Sequence, residues 1–156
     1  MLEEAGCKLP NVTCACCRKK RESGQNGATY CYGDKNTKPE DIKIQITLCV
    51  NTGHMNQTYQ NVLDTLTHEY QHAWDCCKAR LQTCEERACS EIKAYDQGGR
   101  CTRFRGAAYR TCIVDHAVGS LIGNLQRVAN GPCKGKTRAE IISIVNQQYA
   151  SCIGRM

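Results

Sequence analysis

Fourteen cysteines in 156 residues constrain this chain more than any other feature. Cysteine at nearly a tenth of a short chain marks a disulfide scaffold folded in an oxidising compartment. The count is even, which permits full pairing and leaves the connectivity open. Cys14 and Cys17 form a lone C-x-x-C, and Cys7 and Cys17 stand in C-x9-C spacing, each without a second pair. Structural disulfides are therefore expected ahead of a cysteine-bound metal or a twin-cysteine hairpin. Large apolar residues are scarce, with one Phe, one Trp and three Met, so crosslinks must supplement the core.

The segment before residue 28 is polar and cysteine-rich, and it ends in Ser23-Gly24-Gln25-Asn26-Gly27. It reads as a stapled, loop-rich N-terminal segment, 1–27, ahead of a domain over 28–156, the whole forming one compact body. A short strand is expected over 28–32. Ile42, Ile44, Ile46, Leu48 and Val50 alternate with Lys43, Gln45, Thr47 and Cys49, the period-two signature of a half-buried strand over 41–50. From about Thr58 to Arg80, the residues Tyr59, Val62, Leu63, Leu66, Tyr70, Trp74 and Cys77 recur at threes and fours, which predicts a helix. Further helices are expected over about 85–97, stopped by Gly98-Gly99; over about 105–130, closed by Gly131-Pro132; and from Thr137-Arg138-Ala139-Glu140, a capping-box pattern. The class is α+β and mostly helical, with a small sheet.

His68-Glu69-Tyr70-Gln71-His72 lies inside the first of these helices and reads H-E-x-x-H. Histidines four apart share a helical face and can bind one zinc ion, with the glutamate between them directed at the open coordination position. Composition alone would produce the motif in roughly one such sequence in two hundred, so the alternative is a pair of ordinary histidines. Two facts weigh against that alternative. Half of the four histidines sit in the motif, and Glu91 follows His72 after 18 residues on the next helix. That is the spacing of the gluzincins, whose third ligand is such a glutamate. A metzincin would need glycine at 75 and histidine at 78, where this chain has Asp75 and Lys78. The expected zinc ligands are His68, His72 and Glu91, with Glu69 as general base. Asp75 shares the face of the two histidines and is either an acceptor orienting an imidazole or an ordinary carboxylate. His116 is expected to be structural, and the strand at 41–50 to be a core strand rather than one that pairs with substrate.

The surrounding blocks narrow the reading. Ile46-Thr47-Leu48-Cys49-Val50-Asn51 precedes the motif, which continues Ala73-Trp74-Asp75, and Ala88-Cys89-Ser90-Glu91-Ile92-Lys93-Ala94 follows. Together these resemble the zinc metalloproteases of the mitochondrial inner membrane that mature and help assemble a membrane-sector subunit of ATP synthase. The resemblance covers about residues 14–152 and carries the site over onto His68, Glu69, His72 and Glu91. It implies a disulfide-rich protease facing the intermembrane space, peripheral to the inner membrane, with inner-membrane proteins such as ATP synthase or another respiratory complex as partners. Two positions depart from the family pattern. Ile113-Val114-Asp115-His116 stands where a basic cluster is usual, and Gln71 where an apolar residue is.

The first residues, Met1-Leu2-Glu3-Glu4-Ala5-Gly6, offer neither an apolar signal region nor an arginine-rich amphipathic stretch. No apolar run has the length of a membrane span. The net charge is +6, densest at Arg18-Lys19-Lys20-Arg21, a run suited to anionic headgroups, an acidic partner or simple solvation. No aromatic residues interleave with it, so no nucleic-acid partner is expected. The competing functional reading is a protease-derived structural subunit of an inner-membrane complex that keeps zinc for stability. An intact Glu69 argues for the enzyme, since structural zinc needs no general base.

Overall fold

The computed structural model describes residues 2–15, 27–33, 36–49, 58–78, 81–127 and 131–153. The basic run at 18–21, the cysteines at 16 and 17, and His54 lie outside the described residues. The chain divides into two compact units, Met1–Ala79 and Arg80–Met156.

The first unit is a three-stranded sheet with one helix. Strands β1 (Asn11–Ala15), β2 (Gly27–Tyr32) and β3 (Lys43–Cys49) lie in the order β1-β3-β2, with β1 parallel and β2 antiparallel to β3. The alternation of β3 has its expected effect, because Ile44, Ile46 and Leu48 are buried while Lys43 is exposed. As the middle strand it is paired along both edges, so no substrate can add to it. Strand β1 belongs to the sheet, with Asn11 opposite Gln45 and Ala15 opposite Cys49.

Helix α1 (Tyr59–Cys77) packs on β2 and β3. Thr58 caps it, its hydroxyl accepting from the Asn61 amide at 3.3 Å. The expected apolar stripe is only partly its buried face. Cys77 is enclosed and Val62, Leu66 and Trp74 are half-buried, but Tyr59 is 81 % exposed and Leu63 and Tyr70 are exposed too, whereas Glu69, Gln71, His72, Ala73, Asp75 and Cys76 are buried. Cys7–Cys77 and Cys31–Cys76 bind the last turn of α1 to the N-terminal turn and to β2.

The second unit is three helices, α2 (Cys84–Gln97), α3 (Gly106–Arg127) and α4 (Arg138–Cys152), each packed on the other two. Its core is aliphatic: Ala88, Ile92, Ile113, Ala117, Leu121, Ile141 and Val145 are fully enclosed. Cys84–Cys133, Cys89–Cys152 and Cys101–Cys112 pin the three helices and their connections. α2 stops at Gly98, and Gly99 follows at φ 76°, a backbone region that glycine enters without steric cost. Among the described residues no helix is long and apolar enough to cross a membrane.

Candidate metal centre

Helical spacing brings His68 and His72 together as expected. Their Nε2 atoms lie 3.1 Å apart, with ring centroids at 4.8 Å and ring planes at 85°. With Zn–N bonds of about 2.0 Å, nitrogens at that separation subtend about 100° at one ion, close to the tetrahedral angle. Both rings thus present the same nitrogen to one point, and imidazole is a donor that zinc prefers. His72 is buried and His68 half-buried. The donor pair fits zinc.

Glu69 lies between them and is only 4 % exposed. Its side chain is turned to β2, where the Thr29 hydroxyl lies 2.7 Å from Oε2 and 2.9 Å from the Glu69 carbonyl oxygen. The approach is close because position 27 has no side chain. A Cβ there would stand 2.9 Å from both Cγ and Oε1 of Glu69. Neither Gly27 nor Thr29 is marked by sequence reasoning. Gly27 reads as the end of a polar loop, and Thr29 is forty residues from its partner.

Asp75 is buried near the end of α1, and its Oδ2 accepts from the Gln71 side-chain amide at 2.8 Å. That contact gives the unusual polar residue at 71 a physical reason. A glutamine one turn before a buried carboxylate satisfies part of its hydrogen-bonding need. Glu91, the expected third ligand, sits on α2 of the second unit and is buried, next to the buried Ser90.

His116, on α3, stacks on Tyr95 with centroids 5.1 Å apart, and the Tyr95 hydroxyl hydrogen-bonds Ser120 at 2.8 Å. Burial, then the Arg100 charge, push its pKa below the ordinary imidazole value; Asp115 opposes and Arg103 adds to the depression. His116 also approaches Cys101 and Cys112, but these two are joined as a disulfide, so their sulfurs are not available as thiolate ligands. Cys49 is also disulfide-bonded. Among the described residues Cys14 is the free thiol, exposed on β1.

Comparison with known proteins extends these observations. A model of the Peptidase M76 family matches residues 1–155. The mitochondrial inner membrane protease ATP23 of Eremothecium gossypii is 32 % identical over 122 residues, which are 70 % of this chain and 45 % of that protein. Its namesake in Scheffersomyces stipitis is 31 % identical over 119 residues, 69 % of this chain and 45 % of that protein. The human homolog is 34 % identical over 104 residues, 59 % of this chain and 41 % of that protein. The chain spans less than half the length of these relatives. No solved structure matches it.

Proposed function

The chain belongs to the Peptidase M76 family, and from that premise we propose that it is a zinc endopeptidase in which His68, His72 and Glu91 hold the ion and Glu69 is the general base. The observation that carries the reading is the pair of imidazole nitrogens 3.1 Å apart with a buried carboxylate between them in sequence. The burial of Glu91 suits a ligand carboxylate, because an enclosed carboxyl group stays ionised only with compensating donors or a cation. Zinc, when bound, would lower the pKa of a coordinated water and polarise the scissile carbonyl.

The chain's own groups supply the rest. His68 and His72 hold the ion as neutral donors, which leaves both rings uncharged beside a peptide substrate. Glu69 takes the proton of the attacking water and returns it to the departing amine, one carboxylate serving as base and then as acid. Its burial keeps bulk water from that carboxylate, so the proton passes between it and the reacting atoms.

The proposed setting is the intermembrane-space face of the mitochondrial inner membrane. The names of the relatives and the oxidised cysteines support it. The proposed substrate class is a precursor of an inner-membrane protein, with the leader of an ATP synthase membrane subunit the first to test. The alternative, a zinc-stabilised subunit of an inner-membrane complex, gives no role to the glutamate of H-E-x-x-H, so the catalytic reading is preferred. Glu69→Gln tests it. Parent and variant should each bind about one zinc per chain, and the variant should lose about 100- to 10,000-fold in cleavage of a peptide spanning such a leader. Cleavage by Glu69→Gln at the parental rate would remove Glu69 from the chemistry.

A further inference from the structure

We propose that one face of β2, formed by Gly27, Thr29 and Cys31, is the device that positions Glu69 for catalysis. The inference rests on the reading of Glu69 as general base. Residues two apart on a strand point to the same side, so these three project together. Their partners on β3 are Leu48, Ile46 and Ile44, all buried. That face is pressed against α1, and each residue does something different to it.

Cys31 is bonded to Cys76, which fixes the strand along the helix at one point. Thr29 then meets Glu69. A hydroxyl has one proton and here has two acceptors, the carboxylate Oε2 at 2.7 Å and the helix carbonyl of Glu69 itself at 2.9 Å. A carboxylate is the stronger acceptor, so the Thr29 proton goes to Oε2 and holds that oxygen against the strand. Gly27 contributes by lacking a side chain. A methyl group there would stand 2.9 Å from Cγ and Oε1 of Glu69 and 3.1 Å from Thr65 Cγ2, so the carboxylate would have to move. The strand supplies a donor at one position and an empty space at the next inward one.

Thr29 and Gly27 are positioning residues, since they act through Glu69. Thr29→Val keeps the shape and removes the donor; Thr29→Ser keeps the donor and removes the methyl; Gly27→Ala fills the space. The measurement is kcat and KM on a quenched fluorescent leader peptide that the parent cleaves, with zinc content and urea midpoint of each variant. Thr29→Val and Gly27→Ala should each lower kcat by about 10- to 100-fold, the scale of an ångström's misplacement of a reacting group. KM should stay within about twofold, zinc content should be parental, and Thr29→Ser should recover kcat to within about threefold. A parental kcat in Thr29→Val, or a loss that follows zinc content or unfolding rather than kcat, would overturn the proposal. Glu69→Gln separates the two ideas. If it is inactive while Thr29→Val is parental, only the positioning role falls; if it is fully active, the general-base reading falls with it.

Discussion

Glu69 and Asp75 are buried carboxylates six residues apart on one helix, and different neighbours hold them. Asp75 is served by Gln71 from its own helix, one turn away, whereas Glu69 is met by Thr29 from a strand forty residues earlier. The local pair leaves a trace in sequence, because residues four apart on a helix are neighbours by construction. The distant pair leaves none. His116 shows a third case, a half-buried imidazole against Tyr95. Its pKa in the folded chain lies below the ordinary value of 6.5, chiefly through burial. The unfolded state therefore binds the extra proton first as pH falls. The stability that His116 contributes is complete above pH 6.5 and declines below it, towards the folded pKa. The urea midpoint of the parent should fall between pH 7 and pH 5, and that of His116→Gln should fall less. An identical decline in the two proteins would show that other groups govern the acid limb.

Two of the four helices start from the same device. Thr137 and Glu140 exchange hydrogen bonds at the start of α4, as the sequence pattern indicates, and Thr83 and Glu86 do the same for α2. The second box stands in the sequence as Thr83-Cys84-Glu85-Glu86 and places the helix start at Cys84, one residue before the expected start near 85. Backbone and side-chain bonds from Thr137 hold the Glu140 carboxyl below its ordinary pKa, so the box is closed at neutral pH. Thr83→Ala should cost about 1 kcal/mol of stability in urea denaturation, and Thr137→Ala a similar amount. An effect below a few tenths in either would mean that packing alone defines that helix start. Strand β1 is the element the sequence conceals. The alternation in Asn11-Val12-Thr13-Cys14 is too short to mark a strand, Val12 and Cys14 are both exposed, and the strand exists through its ladder to β3. β3 announces itself, since one of its faces is buried and the other is not.

Across the molecule each described disulfide closes within one compact unit. Cys89–Cys152 spans 63 residues and Cys101–Cys112 only 11. Loop-closure entropy assigns about 4.3 kcal/mol to the first and about 2.8 kcal/mol to the second. Replacing Cys89 and Cys152 by alanine should therefore destabilise the helical unit more than replacing Cys101 and Cys112, by about 1.5 kcal/mol in chemical denaturation. The reverse order would point to enthalpic strain rather than chain entropy. By itself the sequence determined the class of the chain, its helices and the two imidazoles that share a face, because helical periodicity and capping act within a few residues. It also named Glu69, through the chemistry that H-E-x-x-H implies. Which cysteines join, which face of α1 is buried, and that Gly27 and Thr29 lie against Glu69 were decided only by the tertiary structure. Apart from Cys101–Cys112, those contacts join residues forty to seventy positions apart, and no local pattern specifies which distant side chain will fill a given space.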